Sequence, residues 1–294
     1  MIKVVVHGGA WNPESADVRS KEQEATTRSC DMPLDGLSAL DIVTALVARQ
    51  EDEGVLDAGT GSMIQLDGRI RMDAGICVSQ GKYGAVLQIE NVSNPILAAR
   101  KLMEYGYHSI LSGDGAQQFA REQGLAHASP YTQAAFKEYL EMREMFPDLT
   151  YASIVSGLED INKRKMGTVG AVAIDDDGNM AAACSTGGLS FGYPGRVGDT
   201  AIYGAGVYCS KLVAVACTGE GDKVLRRLTA RRVEDEFLKH GSLQKAADAA
   251  VADLLKEERG LCGLIAVSHD GQAVEAKSTT FMSSQMLQAG DARR

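Results

Sequence analysis

The chain has 294 residues, of which 45% are hydrophobic and 23% are charged, so it is long enough to fold around a core without disulfides or metals. A net charge of −9 disfavours nucleic acid as a partner. The first residues lack the basic and apolar regions of a signal peptide, and no apolar run has the length of a membrane span. We therefore expect a cytoplasmic protein that binds neither nucleic acid nor membrane.

The first half of the chain alternates strand and helix signals. The β-branched run IKVVVHGG predicts a buried strand, and residues 36–50 place leucine and valine at helical spacing. Two alternating runs within residues 62–78 predict a hairpin around Asp67-Gly68, and GAVLQIE predicts the next strand. NPILAARKLMEYG begins with Asn-Pro and ends with Gly, as helices do, and helical patterns continue over residues 114–146.

The second half begins after a poorly patterned stretch that we interpret as an exposed linker, near residues 148–167. TVGAVAIDDDGNMAAACST then predicts a hairpin, and VAVACTGEGDKVLRRLTA predicts a strand that leads into a helix. SLQKAADAAVADLLKE predicts another helix, and CGLIAVSHDGQAVEAKS a last hairpin around Asp270-Gly271. Strands followed by helices in both halves predict antiparallel sheets covered by helices.

Several motifs suggest chemistry that their surroundings do not support. None of the glycine-rich stretches completes a dinucleotide or phosphate loop, and the six cysteines lack metal-ligand spacing, which predicts buried reduced thiols. GLSFG at residues 188–192 spells a serine elbow, but helix-breaking residues follow it. His7 is interpreted as a satisfied residue at a strand end, and residues 175–177 as turn aspartates.

The turn at residues 218–221 has two open interpretations. Its sequence, TGEG, connects the predicted strand to the helix that follows, and its amides face the helix N-terminus. Such a turn can bind a carboxylate or stabilise an oxyanion. It can equally be a tight connection with no chemical role.

Gly167-Thr168 lies between the linker and the hairpin. A threonine hydroxyl becomes a strong nucleophile when the residue's own α-amine acts as the base, which requires threonine to be the first residue of its chain. That amine titrates at about 7.7–8.0, so part of it is neutral near neutral pH. Glycine before the threonine suits a backbone cut because it tolerates strained conformations. By itself the dipeptide is better explained as the start of a strand.

The surrounding sequence resembles the plant-type asparaginase and isoaspartyl peptidase family, whose members are N-terminal-nucleophile hydrolases related to glycosylasparaginase. The resemblance is carried by GTVGAVAIDDDGNMAAACSTGG, YPGRVGDTAIYGAG and ACTGEGD, and also, in the expected order, by VVVHGGA, GLSALDIVTALV, DAGTGS with MDAGICV, VSNPILAAR and GLCGLIAVSHDG. It implies an α+β fold, a four-layer αββα sandwich of antiparallel sheets that forms one domain over residues 1–294. Cleavage would produce an α-subunit of residues 1–167 and a β-subunit of residues 168–294, and the resemblance implies a homodimer of such αβ units.

The resemblance also implies catalytic roles. The chain would cut itself between Gly167 and Thr168. Thr168 would be the nucleophile and, through its freed amine, the general base, with Thr186 hydrogen-bonded near it. Thr218 and Gly219 would form the oxyanion hole. The implied reaction cleaves isoaspartyl dipeptides and L-asparagine through an aspartyl ester, without a cofactor.

Three further residues would bind the substrate according to the resemblance. Arg196 would hold its α-carboxylate, Asp199 its α-ammonium, and Gly221 would contribute a backbone contact. The first two roles also suit the residue types, because a guanidinium fork matches a carboxylate and a carboxylate accepts from an ammonium. A structural ion pair between Arg196 and Asp199 is the alternative. The family's structural sodium would lie near residues 54–61, bound by backbone carbonyls and taking no part in the chemistry.

Four residues differ from the family pattern. Asp57 stands where the family has asparagine in Asn-Ala-Gly, and a carboxylate there would raise the pKa of the Thr168 amine and weaken it as a base. Trp11 and Cys262 replace glycines, and Cys184 stands where threonine is frequent. Trp11 would narrow the pocket.

Two other functions stay open at this point. One is a glycosylasparaginase-type amidase that acts on N-glycan stubs, against which stand the missing signal peptide and STGG in place of STNG. The other is an uncleaved, non-catalytic relative that binds aspartate-like ligands, for which Asp57 is the best support. Between asparagine and isoaspartyl dipeptides the sequence makes no choice.

Overall fold

The computed structural model describes residues 1–146, 148, 150–153 and 167–288. The strands are β1 Lys3–Trp11, β2 Met72–Val78, β3 Tyr83–Ile89, β4 Ile110–Ser112, β5 Val169–Ile174, β6 Met180–Thr186, β7 Val207–Cys209, β8 Val213–Gly219, β9 Cys262–Ser268, β10 Ala273–Lys277 and β11 Phe281–Gln288. The helices are α1 Ala16–Ser29, α2 Ala39–Asp52, α3 Pro95–Tyr105, α4 Gly113–Glu122, α5 Gln133–Met145, α6 Gly221–Arg227, α7 Thr229–His240 and α8 Leu243–Glu258, and a 3-10 turn covers Gly59–Gly61.

The strands form two sheets in an α+β arrangement. The larger sheet has the order β11-β1-β5-β6-β2-β3-β4, and the smaller has the order β10-β9-β8-β7. Neighbouring strands run antiparallel, as the sequence predicted, except that β3 and β4 are parallel. This exception corrects the prediction of purely antiparallel sheets. The cause is helix α3, which follows β3 in the chain and precedes β4. This helical crossover carries the chain back to the end of the sheet where β3 begins, so β4 runs in the same direction as β3.

Local signals explain where several helices begin and end. The Ser38 hydroxyl accepts a hydrogen bond from Asp41 N (3.2 Å) and caps α2, and Thr132 caps α5 by accepting from Ala135 N (3.1 Å). Helix α3 starts with Pro95 and ends at Gly106, which adopts the left-handed conformation with φ of 72°. The helices predicted at NPILAARKLMEYG and SLQKAADAAVADLLKE are confirmed.

The prediction of a hairpin over residues 62–78 is wrong. Only its second half forms a strand, β2, which pairs with β3 and β6. The first half bonds elsewhere, because Ile64 O accepts from Phe191 N (2.9 Å) and Leu66 N donates to Gly192 O (3.0 Å). Asp67-Gly68 does lie in a turn, but that turn connects no pair of strands.

Three large clusters and one small cluster of buried apolar side chains lie within the described residues, and the three large ones hold the sheets and helices together. The first lies between the larger sheet and helices α1 to α4, the second between the two sheets, and the third between the smaller sheet and helices α6 to α8. Strand β5 shows how the clusters are separated. Ala171 and Ala173 belong to the first cluster, whereas Val172 and Ile174 belong to the second, as the period-two geometry of a strand requires. Because β5 is covered on both faces, Thr168, which directly precedes it, is buried as well.

The ends of three strands define the site. Thr168 directly precedes β5, Thr186 ends β6, and Thr218 is the last residue but one of β8. Because β5 and β6 are antiparallel neighbours with Val169 opposite Ser185, the start of one strand lies beside the end of the other. Most of the linker predicted near residues 148–167 lies outside the described residues. Within the described part of the chain, no helix combines the length and apolarity that crossing a membrane requires.

Candidate active site

Thr168 takes part in a row of hydroxyl groups beside the Gly167 carbonyl. Its side chain is buried (7% exposed), and Thr168 Oγ1 lies 3.3 Å from Thr186 Oγ1 and 3.4 Å from Thr200 Oγ1. The Thr186 hydroxyl donates to Gly167 O (3.2 Å) and accepts from Gly188 N (3.1 Å). The structure therefore brings the predicted nucleophile, its predicted neighbour and the predicted scissile carbonyl together. Thr200 was not predicted, although it directly follows Asp199 in the chain.

Asp57 is fully buried against Gly167. A Cβ atom placed on Gly167 would lie 2.9 Å from Asp57 Cβ, and one on Gly187 would overlap Asp57 Oδ1. Two backbone amides fix the aspartate, because Met63 N donates to Asp57 Oδ1 (3.2 Å) and Gly187 N donates to Asp57 O (3.0 Å). The resemblance implied that this position lies close to the site, and in the structure the Asp57 backbone and Cβ pack against Gly167, while the carboxylate lies against Gly187 and Met63 N.

His7 was interpreted as a satisfied residue at a strand end, and the structure corrects both parts. It lies within β1, opposite Gly170 of β5, and a Cβ on Gly170 would overlap the His7 ring. Burial lowers the pKa of His7 to about 3, an effect that the nearby Thr168 backbone partly offsets. Among the described residues, neither ring nitrogen makes a well-formed hydrogen bond. The imidazole is neutral at neutral pH and adds no charge to the site.

The predicted substrate-binding residues surround Gly221. A Cβ atom on Gly221 would lie 2.6 Å from Asp199 Oδ1 and 3.0 Å from Arg196 Nη2. Arg196 forms its salt bridge with Asp222 (2.9 Å), so its ionic partner differs from the Asp199 that the alternative interpretation named. Burial raises the pKa of Asp199 to about 7, and the Arg196 charge opposes this shift. Asp199 is therefore a buried carboxylate that an added ammonium would ionise.

Asp73 and Gln88 are connected to the Arg196 backbone by hydrogen bonds. The sequence analysis did not predict either residue. The Asp73 carboxylate accepts from Gln88 N (2.7 Å), and Gln88 Nε2 donates to Arg196 O (2.9 Å). Gln88 has a φ of 52°, a conformation that non-glycine residues rarely adopt, at an irregularity in the β2–β3 pairing. Burial raises the pKa of Asp73 to about 6 against the opposing charge of Arg196. MDAGICV contains Asp73, but the spacing in the sequence does not reveal its contacts.

Thr218 and Gly219 form the end of β8 beside the turn into α6. Thr218 is fully buried, and its hydroxyl makes no hydrogen bond within the described residues. Gly219 has a φ of 133°, and a Cβ there would lie 2.5 Å from Leu261 O, so only glycine fits. Glu220 closes the turn, because Glu220 N donates to Leu261 O (2.9 Å) and Glu220 Oε2 accepts from Leu261 N (2.6 Å). The backbone of the turn is therefore held by hydrogen bonds, and the Thr218 hydroxyl beside it has no hydrogen-bond partner among the described residues.

The other departures from the family pattern lie in β1, β6 and β9. The Trp11 indole donates to Glu22 Oε2 (2.9 Å) on α1, so its pocket-narrowing role stays a prediction. Cys184 donates to Gly206 O (3.5 Å), and burial raises the pKa of its thiol. All six cysteines are buried thiols, as predicted. The described residues contain no cluster of histidine, cysteine, aspartate or glutamate side chains suited to a metal.

Residues 1–293 match the family described as Asparaginase. The chain is 36% identical over 302 residues to the isoaspartyl peptidase of Escherichia coli strain K12, an alignment that covers 98% of this chain and 93% of the relative. It is 35% identical over 301 residues to the plant-type L-asparaginase of Pyrococcus horikoshii, with coverage of 99% and 97%. It is 37% identical over 290 residues to the isoaspartyl peptidase/L-asparaginase of Xenopus laevis, with coverage of 95% and 90%.

These matches confirm the resemblance on which the predicted site was based. They extend over almost the whole chain and over almost the whole of each relative. Together with the family match, they establish that this chain belongs to the asparaginase family.

Proposed function

We propose that the protein is a threonine amidohydrolase that cleaves isoaspartyl dipeptides and L-asparagine. The observation that carries the proposal is the buried Thr168 hydroxyl, which lies directly after Gly167 and within hydrogen-bond reach of two other threonine hydroxyls. The names of the relatives, isoaspartyl peptidase and L-asparaginase, support the same reaction class.

The chain first cuts itself in this proposal. The Thr186 hydroxyl donates to Gly167 O and polarises the carbonyl that Thr168 Oγ attacks. The bond between the Gly167 carbonyl carbon and the Thr168 nitrogen then breaks, the nitrogen takes up a proton, and water hydrolyses the resulting ester. The products are residues 1–167 and residues 168–294, whose first residue now carries a free α-amine. That amine is the base that the hydroxyl of Thr168 lacks before the cut.

The cut enzyme then acts on the substrate. The α-amine of Thr168 accepts the proton from Oγ, which attacks the side-chain carbonyl of the substrate. The Thr218 hydroxyl and the Gly219 amide stabilise the oxyanion, and ammonia or the peptide amine leaves with the proton. Water then hydrolyses the aspartyl ester.

Arg196 and Asp199 bind the two charged groups that every α-amino acid carries. Arg196 holds the α-carboxylate through its guanidinium fork. The α-ammonium favours the ionised form of Asp199, whose pKa is raised to about 7 in the empty site. Gly221 lies between the two side chains and contributes a backbone contact to the same substrate groups.

We extend the proposal to architecture and location. The two sheets and their helices would form a four-layer αββα sandwich, in which residues 1–294 make a single domain. Two αβ units would associate as a homodimer in the cytoplasm. The helices that share an apolar cluster with each sheet support the layer order.

A structural sodium ion near residues 54–61 is part of the proposal. The loop folds tightly enough that a Cβ on Gly61 would overlap Leu56 O, and one on Gly59 would overlap Glu51 O. Main-chain carbonyl oxygens are ligands of the type that hard cations prefer, and the backbone of this compact loop can offer several of them. The carbonyls of residues 54–61 would hold it, and it would stiffen the loop that carries Asp57. Replacing sodium chloride by choline chloride should lower the melting temperature.

Replacing Thr168 by alanine tests the proposal. The wild-type chain of 31.2 kDa should resolve into two fragments by intact mass spectrometry, with masses of residues 1–167 and 168–294. Thr168→Ala should stay uncut and release no ammonia from L-asparagine, because it lacks the hydroxyl. Thr168→Ser keeps a hydroxyl and should still be cut, though more slowly. Two fragments from Thr168→Ala would overturn the assignment.

The two alternative functions are separated by substrate assays on the same material. Faster release of glucosamine product from aspartyl-glucosamine than of leucine from β-aspartyl-leucine would favour a glycosylasparaginase-type amidase. Binding of aspartate by calorimetry, without turnover of any amide, would favour a non-catalytic relative. The buried Asp57 beside Gly167 is the observation that keeps this second alternative.

A further inference from the structure

Thr200 occupies a position that neither the sequence nor the proposed mechanism uses. It is buried (2% exposed), and its Oγ1 lies 3.4 Å from Thr168 Oγ1. Its neighbour Asp199 belongs to the proposed substrate site, so one short segment connects the substrate ammonium to the nucleophile. The distance is long for a hydroxyl pair, as is common at active sites that hold no substrate.

The direction of the hydrogen bonds in this row follows from its two ends. Gly188 N can only donate and Gly167 O can only accept. The single proton of the Thr186 hydroxyl therefore goes to Gly167 O, and Thr186 Oγ1 accepts from Gly188 N and from Thr168. The Thr168 proton is used in that contact. Thr200 must consequently be the donor to Thr168 Oγ1 in the uncut chain.

The same direction holds when Thr168 carries an acyl group. An ester oxygen has no proton, so Thr168 Oγ can only accept, and a hydroxyl beside it can only donate. Thr200 is therefore the donor both in the uncut chain and in the acylated enzyme. A hydroxyl that donates to Thr168 Oγ stabilises this oxygen in any step in which negative charge grows on it.

We propose that Thr200 is a catalytic residue whose hydroxyl donates to Thr168 Oγ while the aspartyl ester breaks. This role rests on the proposed function. An alkoxide is a poor leaving group, and a donor aimed at the oxygen that gains charge lowers the barrier to its departure. In the attack step the charge on Oγ falls as the bond to carbon forms, so the donor assists ester hydrolysis more than ester formation.

The assisted step balances as follows. Water attacks the ester carbonyl carbon, and the α-amine of Thr168 accepts one water proton. The bond between that carbon and Thr168 Oγ then breaks, and its electron pair moves to Oγ. The α-ammonium returns the proton to Oγ, while the Thr200 hydroxyl keeps its own proton and hydrogen-bonds to the departing oxygen. Free aspartate leaves and the Thr168 hydroxyl is restored.

The test compares Thr200→Val, which keeps the shape of the side chain, with Thr200→Ser, which keeps the hydroxyl. Each cut enzyme is quenched with acid during turnover of L-asparagine, and the fragment of residues 168–294 is weighed. Loss of a hydrogen bond to a charged oxygen should lower kcat of Thr200→Val on the order of tenfold to a hundredfold. The aspartyl adduct should become its main form. Wild type and Thr200→Ser should show little adduct.

Other outcomes are equally informative. A Thr200→Val enzyme that turns over at the wild-type rate, or that slows without an adduct, would overturn this role and leave the proposed function intact. A wild-type protein that is neither cut nor active would instead overturn the proposed function.

Thr200→Val can also be tested before the cut. The cut itself passes through an ester of Gly167 on Thr168 Oγ, and the same oxygen is the leaving group. If Thr200→Val stays uncut, hydroxylamine should therefore release both fragments from it under conditions that leave Thr168→Ala whole. Failure to release them would contradict the proposal.

Discussion

At Gly167 the chain has no space for a side chain because Asp57 fills it. The contact is made by the Asp57 backbone and Cβ, whereas the carboxylate is bonded to Met63 N of the following loop. Two features therefore meet at Asp57: its backbone and Cβ require a glycine at position 167, and its side chain brings an ionisable carboxyl group close to the residue that precedes Thr168. The packing explains why residue 167 is a glycine, and an ionised Asp57 would act on the amine that the proposed cut releases.

Asp57→Asn should shift the pH dependence of catalysis. A carboxylate near the Thr168 ammonium favours the charged form, so an ionised Asp57 would raise the pKa of this amine and reduce the neutral fraction that acts as base. Removing the charge should lower that pKa. We expect the acidic limb of kcat/KM for L-asparagine to move about one pH unit toward lower pH, measured on fully cut enzyme.

Asp177→Asn is the matched control because Asp177 is an exposed carboxylate in the β5–β6 turn. Its acidic limb should coincide with that of the wild type. An unchanged limb in Asp57→Asn would mean that the charge of Asp57 does not reach the amine.

The turn between β8 and α6 positions chemistry through its backbone. Gly219 requires a positive φ, and Glu220 connects the turn to Leu261 through two hydrogen bonds. Gly221 differs from Gly219, since its conformation permits a side chain and only the neighbouring Asp199 and Arg196 exclude one. The backbone conformation of the turn therefore requires glycine at position 219, whereas the side chains of the candidate site require it at position 221.

Gly221→Ala should weaken substrate binding without harming the fold. The added Cβ would lie 2.6 Å from Asp199 Oδ1 and must displace it, whereas alanine favours the helix by about 1 kcal/mol over glycine. We expect KM for L-asparagine to rise on the order of tenfold, which corresponds to about 1.4 kcal/mol, with a smaller change in kcat. Steady-state kinetics and a melting curve measure both effects.

Gly115→Ala on α4 is the control, because a Cβ there meets nothing within 4 Å. It should leave KM unchanged. A Gly221→Ala enzyme with wild-type KM would argue that Asp199 does not contact the substrate.

Sequence patterns predicted the elements whose neighbours in the chain are also their partners in space. The hairpins β5–β6 and β9–β10 are of this kind, and both are confirmed. Strand β11, FMSSQMLQ, was missed because its polar residues do not alternate regularly, and it is stabilised by pairing with β1 at the other end of the chain. Helix α1 was missed because most of its residues are polar.

The same distinction applies to the site. Gly167 and Thr168 are adjacent, and the family pattern predicted their surroundings, including Thr186. The contacts of Thr200 and Asp73 depend on which strands and loops meet, and no spacing in the chain encodes that. Sequence reasoning therefore named the residues of the candidate site that the family pattern contains, and it missed Thr200 and Asp73, whose contacts depend on the fold.

Across the whole molecule, burial raises the pKa of several carboxyl groups. Burial raises the pKa of Glu51 to about 8, that of Asp199 to about 7 and that of Asp73 to about 6. Glu51 lies fully buried near the end of α2, where its side-chain Oε1 accepts from Ile96 N (3.1 Å) at the start of α3. Burial is the main cause of its raised pKa, and the charge of Asp52 adds to the shift. A protonated carboxyl in the fold couples stability to pH.

Stability should fall as the pH rises from about 5 to about 8. Unfolded glutamate titrates at about 4.3, so in this window the unfolded chain releases a proton that folded Glu51 keeps, and rising pH favours unfolding. The contribution of Glu51 is present below the unfolded pKa and is lost through the folded one, at no more than about 1.4 kcal/mol per pH unit. Urea denaturation should show a shallower pH slope for Glu51→Gln.

Glu144→Gln removes an exposed carboxyl group and should reproduce the wild-type slope. A slope in Glu51→Gln as steep as that of the wild type would show that Glu51 is ionised in the folded protein.

The strand order of the larger sheet determines what happens to the two proposed fragments after the cut. β1, from the first fragment, is inserted between β11 and β5, which both belong to the second, and β6 of the second fragment pairs with β2 of the first. Strands of the two fragments therefore alternate within one sheet. Pulling them apart would break three rows of backbone hydrogen bonds at once and expose the apolar interior. The cut would thus create a new chain end without creating a second molecule, and only a denaturant would reveal that there are two chains.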